Sequence, residues 1–174
     1  MTAATQPLPP RTRFDVGDRV VHPRHGAGEV VDRRERVVEG SARDYLEIEL
    51  TAAALRIMVP CDSAAAVGLR PVAGARRVRE IVDVLEAAPE GAGRNYSARR
   101  KHYRAQLEGG DVLALAGVIR DLAARAAASP LPTGERELYR HSRRILASEL
   151  SYALDVDPDD AVAFIDGHIE GERR

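Results

Sequence analysis

The pattern of apolar and polar positions divides the chain into two parts that meet near residue 73. In the first part, short apolar runs lie between turn-forming residues, and Leu55, Ile57 and Val59 recur with the period of two expected of a half-buried strand. In the second part the period becomes helical, as in the spacing of Val78, Ile81 and Leu85. The pattern therefore predicts an α+β protein, with a sheet first and helices after it.

The first part predicts a small, strongly bent antiparallel sheet. Strand-like runs cover residues 19–22, 30–38, 44–50 and 55–60. Glu39-Gly40-Ser41 favours a turn between the second and third runs, and the glycine-containing segment 25–28 favours a tight reversal after the first. Four or five short strands this close together are typical of a small β-barrel of the SH3 or Tudor type.

Helix-breaking residues divide the second part into about five helices, which predict a compact all-α unit. The breaks fall at residues 89–93, 109–110, 129–132 and 158. Asn95 or Ser97 is the predicted cap of the second helix, and Asp111 is the predicted cap of the third.

Composition indicates a soluble globular protein. The chain has 174 residues, is 44% hydrophobic and 30% charged, and carries a formal net charge of −1. Cys61 is the single cysteine, so no intramolecular disulfide can form, which is compatible with a reducing cytosol. No apolar run approaches 18 residues and no signal-like start is visible, so we expect a cytoplasmic protein without a membrane span. Residues 1–13, which contain three prolines, predict a disordered arm.

Catalytic and metal-binding patterns receive little support. The chain has no G-x-S-x-G and no glycine-rich phosphate loop that ends in Lys-Ser or Lys-Thr. His22 and His25 have the spacing of some metal ligands, but no complementary Cys/His pair accompanies them, so turn residues are the preferred interpretation. The aspartates between residues 155 and 160 resemble a calcium loop, but Pro158 interrupts them and Asp157 is better explained as a helix cap. We therefore expect no enzyme activity, no cofactor and no metal.

Charge differs between the two parts. Ten arginines balance ten acidic residues in positions 1–75, so this part is a poor phosphate binder and a protein partner is favoured for it. From residue 76 to residue 144 there are fourteen basic and nine acidic residues. The second part is therefore the better candidate for contact with nucleic acid.

A basic cluster around Tyr96 and Tyr103 carries the nucleic-acid hypothesis. It contains five positive charges within eleven residues and no acidic residue, and its members are Arg94, Arg99, Arg100, Lys101 and Arg104. A basic helix start with an aromatic residue at its tip suits phosphate contacts and an apolar wedge in the minor groove. The backbone amides of the helix N-terminus would favour a phosphate as well. The alternative is a solvated helix face, which describes most basic runs.

The ordered glycine, proline and histidine positions also resemble a known family. The pattern F-x-V-G-D-x-V-V-x-P-x-H-G-x-G, which begins at Phe14, is followed by Tyr45-Leu46 and Val59-Pro60. It resembles the RNA-polymerase-interacting domain of the CarD/CdnL family, a module that also occurs in transcription-repair coupling factors. The second half resembles the helical domain of the same family through Asn95-Tyr96-Ser97 and Gly110-Asp111-Val112.

This resemblance implies a bacterial transcription regulator with two domains. Residues 14–72 would form a Tudor-like domain that binds the β subunit of RNA polymerase. Residues 76–170 would form a helical domain that contacts promoter DNA, with little sequence specificity, at the upstream edge of the bubble and so modulates open-complex stability. The chain would be nucleoid-associated through the polymerase and monomeric when free.

On the sheet, the resemblance implies that Arg36 faces the polymerase β subunit through a charge-assisted contact to a carboxylate. Arg33 and Arg34 lie in the same charged cluster, and Met58 stands where some relatives carry a basic residue. The alternative interpretation is an edge strand whose charges block aggregation.

On the helical half, the resemblance assigns the wedge position to Tyr96, where CarD-like proteins carry a tryptophan. Arg99 and Lys101 match basic family positions, whereas Ala98 stands where relatives can carry a DNA-facing arginine. Tyrosine can stack and insert, but it offers less apolar area and must keep its hydroxyl hydrated or bonded. The alternative is therefore a CarD-like paralogue that acts as a polymerase-binding adaptor or competitor without a DNA wedge.

Overall fold

The computed structural model describes residues 13–52, 55–91, 93 and 95–171. Within these residues, five strands precede five helices, and the predicted α+β order is confirmed. The strands are β1 (Arg19–His22), β2 (Gly26–Val38), β3 (Ser41–Leu50), β4 (Leu55–Pro60) and β5 (Arg70–Pro71). The helices are α1 (Ala75–Glu86), α2 (Tyr96–Glu108), α3 (Val112–Ala128), α4 (Thr133–Leu154) and α5 (Pro158–Gly171). The predicted arm, residues 1–13, lies outside the described residues except for Arg13.

β2 and β3 form a long hairpin that closes at the predicted turn. Glu39 and Gly40 both have positive φ, 52° and 79°, as the two-residue turns favoured in β-hairpins require. Val38 pairs with Ser41 directly beside the turn, so β3 begins three residues earlier than the apolar pattern predicts. The turn geometry therefore sets the register of the whole hairpin.

The reversal predicted over residues 25–28 is present between β1 and β2, and Gly26 has the expected positive φ of 86°, but the turn begins two residues earlier. Residues 23–25 form the turn, and the two glycines that follow belong to β2, where Gly28 pairs with Val20 of β1. Gly28 is required by the close approach of β3, because a Cβ there would lie 2.4 Å from the Glu49 carbonyl oxygen.

The five strands form one antiparallel sheet in the order β4-β3-β2-β1-β5. A register shift between Val30 and Asp32 bends β2, as a β-bulge does. In the described part of the chain β4 and β5 are the two edges and do not pair with each other, so the sheet is bent but not closed into the predicted barrel. Its concave side buries an apolar core that includes Phe14, Val30 and Ile48.

The helices bury a second and larger core built from α1, α3, α4 and α5. The predicted caps are confirmed: Asn95 caps α2, and the Asp111 carboxylate accepts from the Leu113 amide at the start of α3. The longest helix, α4, runs for 22 residues and ends at Asp155, which is in the left-handed conformation with φ of 56°. None of the helices described here is both long and apolar enough to cross a membrane.

The sheet packs directly on α4, so the two halves share an interface. The Ala27 amide of β2 donates to the Ser148 hydroxyl of α4 at 2.9 Å, in a buried position. A Cβ at Gly26 would lie 2.5 Å from that hydroxyl oxygen, so glycine lets the helix come this close. Arg70 of β5 and Glu149 of α4 form an ion pair at the same interface. These contacts fix the position of the helical half relative to the hairpin.

Candidate polymerase and nucleic-acid interfaces

The N-terminus of α2 carries the predicted DNA-contacting residues, and Asn95 holds it. The Asn95 side-chain oxygen accepts from the Ser97 amide at 2.8 Å and from the Ala98 amide at 3.5 Å. These amides are two of the donors that a helix N-terminus would otherwise offer to a phosphate. The Asn95 cap therefore occupies two of the four amides that the start of α2 could offer to a phosphate.

Tyr96 lies at the first position of α2 with 37% of its surface exposed. Its hydroxyl packs against the first turn of α4, where a Cβ at Gly134 would lie 2.5 Å from the hydroxyl oxygen. The missing side chain at position 134 makes room for the ring. Tyr96 is thus packed partly against α4 and partly exposed to solvent. It projects less far from the surface than a wedge residue without contacts to the protein would.

The solvent side of α2 carries Arg100, Lys101 and Arg104, all of which are exposed. Tyr96, Arg100 and Arg104 are four residues apart, so they form one stripe about 12 Å long on the helix surface. None of the three cations has an ion-pair partner among the described residues. The structure therefore brings three of the five predicted cations together beside Tyr96.

Arg99 lies on the opposite side of α2 and is buried, with 4% of its surface exposed. Its Nε donates to Oε1 of Glu135 at 2.8 Å, and Glu135 is itself 1% exposed. Arg125 donates to the other Glu135 oxygen at 3.3 Å. Arg99 thus ties α2 to α4 and does not present its guanidinium to solvent.

The spacing of Arg99 relative to apolar residues of α2 predicts this burial, whereas the number of charges in the cluster does not. Arg99 lies four residues before Tyr103, which is fully buried, and eight before Leu107, which is partly buried. Residues at this spacing share one helix face, so Arg99 belongs to the packed face. Arg94, the remaining predicted DNA-binding residue, lies outside the described residues.

Two of the predicted polymerase-binding arginines are already paired within the sheet. Arg33 donates to Asp44 at 2.6 Å, and Arg34 donates to Asp32 at 2.6 Å and approaches Glu47 at 3.3 Å. These hydrogen bonds raise the pKa of both guanidiniums above their usual value. Arg33 shares its face with Leu46, on the buried side, whereas Arg34 lies on the outer side.

Arg36 stands apart from this paired network. The hairpin register places it directly opposite Arg43 on the outer face of β2 and β3. Both side chains are exposed, and neither has an ion-pair partner among the described residues. Like charges directly opposite each other destabilise a sheet, so this pair is a place where a carboxylate from a partner would be favourable.

The sequence analysis did not include Arg43 among the candidate binding residues, although the predicted turn implies its position opposite Arg36. Once Glu39 and Gly40 are taken as a two-residue turn, position 36 must pair with position 43. Met58 of β4 lies on the same outer face, opposite Glu47, and is half-buried. The structure thus brings Arg34, Arg36, Arg43 and Met58 to one face and leaves Arg33 on the other.

His22 and His25 lie at the turn after β1, as expected of turn residues. The Nδ1 of His22 accepts from the Arg24 amide at 3.2 Å, and the two rings lie 4.7 Å apart between centroids. Burial lowers the pKa of His22, and His25 and Arg24 lower it further. Among the described residues, no group of three or more His, Cys, Asp or Glu side chains could hold a metal ion.

The aspartates near residue 155 also occupy structural positions. Asp155 ends α4, and the Asp157 carbonyl oxygen accepts the Ala161 amide in the first turn of α5. Pro158 is the first residue of that helix, which confirms the predicted start.

Comparison with known proteins identifies both halves. Residues 14–73 match the family model described as CarD-like/TRCF RID domain, and residues 80–166 match the model described as CarD, C-terminal domain. The chain is also 24% identical over 139 residues to a Bacillus subtilis (strain 168) protein named "Putative transcription factor YdeB", an alignment that covers 79% of this chain and 90% of that protein. The two matched regions lie in the order of the sheet and the helices, and the C-terminal match alone spans half of the chain. This protein therefore belongs to the CarD family.

Proposed function

We propose that the protein regulates transcription by docking on the β subunit of RNA polymerase through its sheet and presenting α2 to promoter DNA at the upstream edge of the bubble. One observation carries the proposal. A polymerase-interacting domain, matched over residues 14–73, is packed against a helical half whose α2 exposes the cations Arg100, Lys101 and Arg104. Docking of the sheet on the polymerase would therefore fix the position of α2 relative to the promoter DNA.

On the sheet, the outer face of the β2–β3 hairpin is the proposed polymerase surface. Arg36 and Arg43 repel each other in the free protein, and a carboxylate of the partner would relieve that repulsion. Arg34 is largely satisfied by Asp32 and Glu47, so it contributes less.

On the helical half, Arg100, Lys101 and Arg104 are the proposed phosphate contacts, with Tyr96 at the minor groove. Contacts of this kind give an affinity that falls with salt and depends little on sequence. Arg99 acts as a positioning residue that holds α2 on α4 through Glu135. If the protein binds melted promoter DNA better than closed DNA, it shifts the equilibrium toward the open complex by about 1.4 kcal/mol for each tenfold difference in affinity.

The test is the lifetime of the open complex formed by purified polymerase, with wild type, Tyr96→Ala and Tyr96→Trp. We expect wild type to lengthen the lifetime, Tyr96→Ala to lose the effect and Tyr96→Trp to increase it, because the larger ring buries more apolar area against the DNA. Tyr96→Phe is the matched control that separates ring insertion from the hydroxyl contact at Gly134.

A second candidate function is a polymerase-binding adaptor or competitor without a DNA wedge. It is favoured by the packing of Tyr96 against α4 and by the burial of Arg99, because both reduce the aromatic and basic surface of α2 that DNA could contact. This candidate predicts that all the Tyr96 variants leave the open-complex lifetime unchanged while Arg36→Glu still abolishes polymerase binding. The same experiment therefore separates the two functions.

A further inference from the structure

A cleft of about 990 Å³ lies between the sheet and the helices. The turn after β1 forms one wall with Arg24 and His25, and α2 and α4 form the other with Arg104 and His141. This volume is within the range of pockets that hold small-molecule ligands. A ligand in it would touch both halves of the protein at once.

The free charges of the cleft are mainly positive. Arg24 and Arg104 are exposed and have no ion-pair partner among the described residues. Two other charged lining residues are neutralised nearby, since Arg70 pairs with Glu149 and Asp111 pairs with Arg77. Glu108 is the remaining acidic residue at the rim. The cleft therefore offers two unpaired guanidiniums from opposite walls.

Imidazoles add to this positive character. His22, His25 and His141 all line the cleft. Burial, then Arg144 and His25, lower the pKa of His141, just as burial and the neighbouring His25 and Arg24 lower that of His22. Positive groups thus converge on His22 and His141 and disfavour the charged forms of these two rings. An anion among them would reverse that balance, because it favours protonated imidazoles and pairs with the arginines.

A buried polar group in the cleft lacks a partner as well. Ser142 of α4 is fully buried and lines the cleft, and its hydroxyl oxygen has no hydrogen-bond partner among the described residues. Buried hydroxyls are nearly always bonded, and an unpaired one in a native structure calls for an explanation such as an absent ligand or water. Ser142 is thus one further polar group in the wall of the cleft, beside the arginines and the histidines.

We propose that this cleft binds a small molecule carrying a phosphate or pyrophosphate group. Arg24 contacts this group from the sheet side and Arg104 from the helical side. His25 and His141 donate further hydrogen bonds, and the ligand bridges the two halves. Its binding would stiffen the arrangement that positions α2 relative to the polymerase-docking hairpin. The proposal goes beyond the proposed function, and it shares one residue, Arg104, with the proposed DNA-contacting surface.

The experiment is a titration of the full-length protein with inorganic pyrophosphate, followed by NMR of the histidine ring protons. We expect the signals of His22, His25 and His141 to move together and to saturate at millimolar or lower pyrophosphate, while His168 on α5 stays unchanged as an internal reference. Arg104→Ala should weaken this binding about tenfold, the cost of one charge-assisted contact. Arg79→Ala, which removes an exposed cation of α1 outside the cleft, should bind as wild type does.

Three results would overturn the assignment. One is the absence of any saturable change at the cleft histidines, and another is an equal response in Arg104→Ala and wild type. The third comes from a parallel titration with a 20-base-pair duplex. If the duplex moves the cleft histidines and pyrophosphate does not, the phosphate source is the DNA backbone and the cleft is no small-molecule site.

Discussion

Arg70 and Glu149 form a two-point ion pair that joins the last strand of the sheet to the longest helix. The two terminal nitrogens of Arg70 donate to the two Glu149 oxygens at 2.6 and 2.8 Å, and the Ala73 amide donates to one of them at 3.0 Å. Glu149 has no exposed surface, whereas Arg70 retains 28% of its side-chain exposure. A buried carboxylate with three donors is well satisfied, and it fixes the connection between the two halves.

Replacing Glu149 by glutamine should destabilise the protein by about 2 kcal/mol. The amide keeps the shape of the side chain but gives up the charge and one acceptor, which leaves the Arg70 guanidinium partly unpaired. Urea denaturation of the whole chain measures the change. Glu137→Gln, on an exposed face of the same helix, is the control and should stay within about 0.5 kcal/mol of wild type. Equal stability of the two variants would show that the ion pair contributes nothing.

Replacing Arg99 by alanine should lower stability by about 3 kcal/mol, because it removes a buried guanidinium and leaves the buried Glu135 carboxylate with only the longer contact to Arg125 among the described residues. Urea denaturation again gives the value, and Arg100→Ala on the exposed face is the matched control. The opposite pattern, in which Arg99→Ala folds normally but loses DNA affinity, would make Arg99 a phosphate contact after all.

Exposed cations of α2 should control the salt dependence of DNA binding. For each of Arg100→Ala and Lys101→Ala, we expect the slope of log affinity against log salt concentration to become shallower by roughly 0.9, the value for one phosphate contact to duplex DNA. Fluorescence anisotropy with a forked promoter fragment, in the presence of polymerase, measures this slope between 50 and 200 mM salt. Arg79→Ala on α1 is the control. Unchanged slopes in both variants would favour the adaptor function.

Charge reversal at Arg36 should separate folding from partner binding. Arg36→Glu turns a repulsive cross-strand pair with Arg43 into an attractive one, so the isolated protein should be as stable as wild type or slightly more stable. Its binding to the polymerase β subunit should nevertheless fall at least tenfold, since the partner carboxylate would now meet a like charge. Pull-down titration and thermal unfolding measure the two effects. Arg56→Glu on β4 is an unsuitable control because Arg56 pairs with Glu47 and Glu49, so Arg79→Glu is used.

Stability should decrease as the pH falls from about 7 to 5.5. The pKa of His22 and that of His141 lie below the usual value of 6.5 in the folded chain, so the unfolded chain binds protons more tightly. The stability contributed by the neutral rings is therefore complete above about pH 6.5 and is lost below it. Urea denaturation at three pH values measures the slope, and His141→Gln should make it shallower. Rising stability toward pH 5.5 would contradict the expectation.

Local sequence patterns were sufficient to predict the order of the strands and helices and several of the residues at which they begin or end. Period-two and period-3.6 spacings predict the strands and helices, because side-chain direction follows backbone geometry over a few residues. The caps at Asn95 and Asp111 and the turn at Glu39-Gly40 are local for the same reason. The resemblance to the CarD family was visible at this level as well, in ordered glycine, proline and histidine positions.

The open sheet and the role of Gly28 depend on contacts between distant segments. Gly28 belongs to β2 because β3 approaches it from Glu49, which no local turn preference reveals. The bend at Val30 and the free edges of β4 and β5 likewise come from pairing across the sheet.

Composition and short-range geometry define which residues are basic, where the helices begin and how the hairpin turns. The spacing of Arg99 marks its helix face as well, but the packing of the folded chain sets which charges are neutralised and which reach solvent. Arg99 is neutralised by Glu135, 36 residues away, whereas Arg100 and Lys101, its immediate neighbours, remain exposed. The physical reason is that burial and ion pairing are set by which helix faces meet, and the meeting of α2 with α4 is a property of the packed chain.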